Sequence, residues 1–94
     1  MPYAPLLDPA ALDGGLGALP DWRREGDVIV RAVRCASFRA AIELVDRVAD
    51  AAEAADHHPD ITIQWNKVIL TLSTHSAGGL TGHDIALAGQ INAL

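Results

Sequence analysis

The chain has 94 residues, half of them hydrophobic and 20% charged, which predicts one small globular domain spanning residues 1–94. A formal net charge of −5 argues against nucleic acid as a partner, because nucleic-acid-binding proteins usually carry a net basic face. The single cysteine excludes an intramolecular disulfide, and no segment has the ~20 apolar residues that span a membrane, so a cytoplasmic protein without a membrane partner is expected.

The first predicted elements are a short helix and a pair of strands. Asp8 is a favourable N-cap and Pro9 suits the first helical position, while three glycines soon afterwards are expected to end the helix. Gly26 then marks a tight turn between two short strands, Trp22–Glu25 and Val28–Val33. The sequence thus predicts a helix followed by a hairpin.

A long amphipathic helix is predicted next. Ser37 is a suitable N-cap, and Pro59 disfavours helical geometry before it, so the helix should end near Asp56 or His57 after about five turns. Apolar residues recur along it at three- and four-residue intervals: Phe38, Ala41, Ile42, Val45, Val48, Ala49, Ala52 and Ala55.

The last third of the chain predicts a second hairpin and a final helix. Alternating apolar residues on both sides of Asn66 indicate two strands that turn there, and the aromatic Trp65 is expected to pack against the sheet. Thr81 caps the final helix, with Asp84 at its third position and Leu94 among the residues on its inner side. The fold class predicted is α+β: a four-stranded antiparallel sheet with helices on one face, in the order α-β-β-α-β-β-α.

Three of the four histidines lie at the ends of predicted elements. His57 and His58 leave the long helix at its break, and His75 ends a strand, while Asp84 begins the last helix. A helix end, a strand end and a helix start can converge on one cleft. Glu53 precedes His57 by four residues and is expected to lie over that histidine if the helix continues. Taken alone, Asp84 is typical of a capping carboxylate.

This pattern resembles the pterin-4a-carbinolamine dehydratase family, in which an acidic residue, His-His-Pro, an aromatic, a third His and an Asp recur at these spacings. The matching sequence segments include Asn66-Lys67-Val68, Ser73-Thr74-His75 and Gly78-Gly79-Leu80-Thr81. The resemblance covers residues 22–94. The chain departs from it at Val33 and Cys35, where the family usually carries a Phe-x-Phe pair.

The resemblance implies a hydro-lyase that removes water from 4a-hydroxytetrahydropterin to give quinonoid dihydropterin, in the recycling of a tetrahydrobiopterin-type cofactor. It implies His57, His58 and His75 as the catalytic set. The implied substrate-binding residues are Glu53, Asp56, Ser73, Thr74, Asp84 and Trp22, of which Trp22 could instead fill the core. The implied partners are the pterin, which is the substrate rather than a cofactor, and further copies of the chain in a homodimer or homotetramer. No cofactor and no metal are implied.

Histidine chemistry suits such a reaction because hydroxide is a poor leaving group. An imidazolium can protonate the departing hydroxyl, while a neutral imidazole, or water that it holds, accepts the proton lost from the ring nitrogen. An unperturbed histidine pKa near ~6.5 allows both forms at neutral pH.

Two other readings stay open. Three histidines with Glu53 or Asp84 could supply enough ligands for zinc, although adjacent histidines chelate awkwardly and no H-E-x-x-H or paired-cysteine motif is present. A domain of this fold could also serve as a non-catalytic partner-binding or accessory protein. The fourth histidine, His83, is interpreted as an exposed residue of the last helix.

Overall fold

The computed structural model describes residues 5–94, and its helices and strands follow the predicted order. The elements are α1 (Pro9–Gly17), β1 (Arg23–Glu25), β2 (Val28–Arg34), α2 (Phe38–Ala55), β3 (Asp60–Gln64), β4 (Lys67–Leu72), a 3₁₀-helix (His75–Ala77) and α3 (Gly82–Asn92). His75 therefore starts a helical turn rather than ending the strand, because β4 stops at Leu72.

The four strands form one antiparallel sheet in the order β1-β2-β4-β3. Each predicted hairpin forms, and the two hairpins join through the central pair, in which Ile29 lies opposite Leu72 and Arg34 lies opposite Lys67. The predicted α+β fold class is confirmed by this sheet and its helices.

The core lies between one face of the sheet and the helices. Along β4 the side chains alternate between buried and half-buried, as the period of a strand with one covered face requires. Val68, Leu70 and Leu72 are fully buried with Ile29 of β2. The helices contribute the other buried side chains of this cluster, among them Leu12, Ala41, Leu44, Val48, Leu87, Ala88 and Ile91.

Helix α2 has the predicted length and caps, but it buries fewer of its apolar residues than the sequence pattern suggested. The Ser37 side chain accepts a hydrogen bond from the Ala40 N–H at 3.0 Å, which satisfies one of the free donors of the first turn. Leu44, which the predicted stripe omitted, is buried, whereas Phe38 and Ile42 are exposed. The row of apolar residues on α2 is therefore wider than the part of the helix that the sheet and α3 cover.

The ends of the other two helices also differ from expectation. Helix α1 continues through its glycines to Gly17, and a Cβ atom at Gly15 would lie only 3.2 Å from Ile85 of α3, so a small residue suits that crossing. Leu94 lies beyond the end of α3 and is exposed. Among residues 5–94, no helix combines the length and the apolar character that crossing a membrane requires.

Candidate active site

Two segments line one cavity: the α2–β3 connection and the chain that follows β4. The cavity has a volume of about 280 Å³, and seven residues line it: Asp56, His57, His58, Ser73, Thr74, His75 and Ser76. The three histidines expected to act together thus line the same cavity. Their catalytic role stays a prediction.

The left-handed conformation of Asp56 sets the different directions of the two adjacent histidines. Asp56 follows α2 with φ 49° and ψ 43°, and the backbone N–H of His57 donates to the Ala52 carbonyl at 3.1 Å. This backbone geometry ends the helix and reverses the chain, as a left-handed residue after a helix commonly does. His57 turns inward and is only 9% exposed, whereas His58 turns towards solvent.

His57 is held by a buried carboxylate. Its Nε2 lies 2.6 Å from Oδ1 of Asp84, a residue with no exposed surface. The other carboxylate oxygen accepts the Thr74 hydroxyl at 2.8 Å and the Thr81 backbone N–H at 2.9 Å, the latter as part of a capping box. Within residues 5–94, no buried side-chain nitrogen or oxygen lacks a hydrogen-bond partner.

These contacts determine which nitrogen of neutral His57 carries the hydrogen. A carboxylate that receives an O–H and an N–H on one oxygen is an acceptor, so the short contact at its other oxygen requires a donor. Nε2 of neutral His57 therefore bears the hydrogen, and Nδ1 keeps the free lone pair. Because His57 lines the cavity, Nδ1 is the ring nitrogen that remains available to a ligand there.

A second carboxylate contacts His58. Glu53 Oε2 lies 2.6 Å from His58 Nε2, with the two side chains 77% and 57% exposed respectively. The helix does not continue to His57: it ends at Ala55, and the turn at Asp56 brings His58 rather than His57 to Glu53. The site thus contains two histidine–carboxylate pairs, one buried and one exposed.

His75 and His83 are both exposed, but they occupy different places. His75 lines the cavity from the 3₁₀-helix, which a left-handed Gly78 (φ 76°) closes. His83 lies on the first turn of α3, as expected, and does not line the cavity. Its ring nevertheless approaches that of His57, with centroids 5.8 Å apart and planes tilted by 39°.

Three of the predicted substrate-binding residues are not among those that line the cavity. Trp22 fills the core at 4% exposure and donates from Nε1 to Asn92 Oδ1 at 2.9 Å. Glu53 contacts His58, and the fully buried Asp84 contacts His57, so both lie behind a histidine of the cavity. Their part in substrate binding stays a prediction.

Sequence reasoning also missed or misplaced three residues near the site or at the hairpin turn. Ser76 lines the cavity, and Thr81 belongs to the buried network beneath it. The sequence offered one signal for the contact between Thr81 and Asp84: the two residues are three positions apart at a helix start, which is the spacing of a capping box. Trp65 does not pack against the sheet: it is 71% exposed at the β3–β4 turn, with φ 54°.

Three imidazoles on one cavity wall can donate and accept protons. Among residues 5–94, no group of three or more His, Cys, Asp or Glu side chains is placed to hold a metal ion. The carboxylates near the histidines are already occupied by hydrogen bonds to them.

The fold defines a class of protein known from solved structures. A crystal structure of a transcriptional coactivator/pterin dehydratase from Brucella melitensis is similar, with a TM-score of 0.88 and 33% identity over 94% of this chain and 96% of that chain. A pterin dehydratase-like protein described as a RuBisCO assembly factor in the alpha-carboxysome shares the fold, with a TM-score of 0.66 and 22% identity over 78% of this chain and 87% of that one.

Sequence comparison then gives the family. The family model described as pterin 4 alpha carbinolamine dehydratase matches residues 5–94. A protein of Nocardia farcinica, provisionally named a pterin-4-alpha-carbinolamine dehydratase, is 62% identical over 89 residues, covering 95% of this chain and 94% of its own length. A protein of the same provisional name in Roseiflexus castenholzii is 53% identical, with coverages of 95% and 96%. The chain belongs to the pterin 4 alpha carbinolamine dehydratase family, which confirms the resemblance.

Proposed function

We propose that this protein catalyses the dehydration of 4a-hydroxytetrahydropterin to quinonoid dihydropterin and water, in cytoplasmic recycling of a tetrahydrobiopterin-type cofactor. The observation that carries the proposal is one cavity lined by His57, His58 and His75, of which two are each paired with a carboxylate. Membership of the family supports the same substrate class.

The cavity suits the bicyclic ring of a pterin. Its volume of about 280 Å³ is near the lower end of small-molecule pockets, which typically begin at roughly 300 Å³. Ser73 and Ser76 supply hydroxyl groups for the polar edge of the ring, and Asp56 supplies a carboxylate. Thr74 lines the cavity, but its hydroxyl is already bonded to Thr81 and Asp84. The contacts from Ser73, Ser76 and Asp56 would orient the ring so that its 4a carbon faces the histidines.

The reaction divides between an acid and a base on the cavity wall. His57 acts as the base: its Nδ1 accepts the proton lost from the ring nitrogen while Asp84 keeps Nε2 bonded. The electron pair left on that nitrogen forms the new double bond to C4a. His58 or His75, as imidazolium, protonates the departing hydroxyl, so that the C4a–O bond breaks and water leaves. One proton is accepted and one is donated, and no electrons are exchanged with a redox partner.

The test uses synthetic 4a-hydroxytetrahydropterin and measures the enzyme-dependent rate above spontaneous dehydration. Replacing the acid, by His58→Ala or His75→Ala, should lower kcat by roughly 10²- to 10⁴-fold, the usual range for a general acid, and the larger loss identifies the acid. Both side chains are exposed, so neither variant should lose its fold. Arg39→Ala, roughly 24 Å from the C-terminal end of α2, is the matched control and should keep the wild-type rate.

Two further outcomes decide the mechanism. If acid and base act in one transition state, combining His57→Ala with whichever of His58→Ala and His75→Ala is the more damaging should cost less than the product of the single losses. Full enzyme-dependent rates in both His58→Ala and His75→Ala, with the fold verified by circular dichroism, would refute the proposed roles. Loss of activity on exhaustive chelation, restored by zinc, would replace the acid–base account with a Lewis-acid one.

A homodimer or homotetramer is part of the proposal. Phe38 and Ile42 on the outer side of α2 are exposed apolar residues, and the open sheet leaves β1 and β3 as edges. Light scattering at several protein concentrations measures the mass of the assembly. A constant monomer mass would contradict this part of the proposal.

Partner binding is the second candidate function. Two structural neighbours are described as a transcriptional coactivator/pterin dehydratase and as an assembly factor, which motivates this alternative for a domain of the same fold. A folded protein without any enzyme-dependent rate on the pterin would favour partner binding over catalysis.

A further inference from the structure

Thr81 is a fully buried polar residue to which the mechanism above gives no role. Its Oγ1 lies 2.8 Å from Oγ1 of Thr74 and accepts the backbone N–H of His83 at 3.2 Å. It does not line the cavity, so it cannot touch a bound ligand directly. Any influence on the reaction has to pass through its neighbours.

Each hydroxyl in this network has a defined role as donor and as acceptor. Thr74 has a single hydroxyl hydrogen, which it donates to Asp84 Oδ2 at 2.8 Å. The Thr81 hydroxyl must therefore be the donor in its own contact with Thr74. A continuous chain results, in which Thr81 donates to Thr74, Thr74 donates to Asp84, and Asp84 accepts Nε2–H of His57 at its other oxygen.

The same residue also fixes the helix from which Asp84 projects. Thr81 is the N-cap of α3, and its backbone N–H donates to Asp84 Oδ2 at 2.9 Å. The carboxylate is thus held from two sides, by the Thr81 backbone directly and by the Thr81 hydroxyl through Thr74. Hydrogen bonds in such a buried chain polarise and strengthen one another.

We propose that Thr81 is a positioning residue for the proposed dehydratase reaction: its hydroxyl, acting through Thr74, fixes the Asp84 carboxylate against Nε2–H of His57 and so holds the ring with Nδ1 as the base. This inference rests on the proposed function and deepens it. The hydroxyl of Thr81, rather than its methyl group, is the part that matters, so serine should replace it and valine should not.

The test compares Thr81→Val, which keeps the shape, with Thr81→Ser, which keeps the hydroxyl. Nitrogen-15 NMR of the ligand-free protein reports which ring nitrogen of His57 bears the hydrogen, and a His57→Gln variant assigns the signal. All three proteins should show the Nε2–H tautomer, because Thr74 and the Thr81 backbone still donate to Asp84, but the Nε2–H hydrogen of His57 should exchange with solvent faster in Thr81→Val than in wild type or Thr81→Ser. The kcat of Thr81→Val should fall by about tenfold, as for partners that orient metal-bound histidines, with KM unchanged because Thr81 is outside the cavity.

Ser37→Ala is the matched control for the loss of a helix cap. It removes a side-chain bond of the same kind at the N-terminus of α2, remote from the histidines at the other end of that helix. It should lower thermal stability and leave kcat and the exchange rate of the His57 Nε2–H hydrogen unchanged. If Thr81→Val does not fold, Thr81→Gly takes its place, because glycine is tolerated at N-caps.

The result that overturns the inference is a folded Thr81→Val or Thr81→Gly protein with wild-type kcat and a wild-type exchange rate of the His57 Nε2–H hydrogen. A loss of activity that Thr81→Ser shares equally would also overturn it. The exchange measurement needs no turnover, so an exchange rate that depends on Thr81, together with a wild-type protein that has no dehydratase activity, would refute the proposed function and leave the positioning role standing.

Discussion

Asp84→Asn is the substitution that tests the buried histidine–carboxylate pair most sharply. The carboxylate receives three hydrogen bonds, from His57 Nε2–H, the Thr74 hydroxyl and the Thr81 backbone N–H. Asparagine has the same shape but only one acceptor oxygen. If that oxygen keeps the two threonine donors, the amide NH₂ faces His57 Nε2 and forces it to become an acceptor.

The consequence of that exchange is a change of tautomer in His57. The hydrogen moves to Nδ1, which removes the lone pair that the proposed mechanism uses as a base. We expect kcat to fall by roughly 10²- to 10⁴-fold, the contribution typical of a general base. The free energy of unfolding should fall by roughly 1–3 kcal/mol, since a hydrogen bond to a charged group is replaced by one to a neutral group.

Three measurements on the same protein check this prediction. The enzyme-dependent rate gives kcat, urea unfolding gives the free energy of unfolding, and nitrogen-15 NMR gives the His57 tautomer. Wild-type kcat together with an unchanged tautomer would refute the reasoning. A large loss of kcat with the Nε2–H tautomer intact would show that Asp84 contributes by its charge rather than by fixing the ring nitrogen.

Further predictions concern exposed parts of the site and of α2. Glu53→Gln should lower kcat by less than about fivefold, because an exposed pair contributes under ~1 kcal/mol, and a loss as large as that of Asp84→Asn would contradict the distinction. Asp56→Ala should be about 1 kcal/mol less stable to urea than Asp56→Gly, since the residue is left-handed, and equal stabilities would show that this conformation carries no strain. Phe38→Ser should weaken self-association in light scattering without lowering the thermal stability of the monomer, and an unchanged assembly mass would exclude Phe38 from the interface.

The backbone order of this fold could be predicted because its signals are local. Ser37 and Thr81 cap their helices as their side chains suggest, and both hairpins turn where the apolar alternation breaks. The width of the buried face of a helix is not determined by local sequence. Whether Leu44 or Ile42 of α2 faces the core depends on how the sheet and α3 are placed, which the helical period alone does not contain.

The composition of the site was predictable, whereas its internal pairing was not. The spacing of the histidines placed them together, but the pairing of Glu53 with His58 and of Asp84 with His57 follows from one left-handed residue, Asp56. Nothing in the side chain of an aspartate requires φ to be positive. Trp22 was ambiguous for a similar reason, because its hydrogen-bond partner Asn92 is distant in sequence.

The central pairing of β2 with β4 also bears on how the protein folds. Each hairpin closes a short loop, whereas the β2–β4 pairing closes a long loop that contains α2 and β3, and such long-range contacts are the slow part of folding. His57 precedes β3 and Asp84 follows β4, so their contact forms only when α3 has docked on the assembled sheet. An intermediate that retains the β3–β4 hairpin alone would lack this contact. Ligand binding would therefore report the final step of folding rather than the formation of secondary structure.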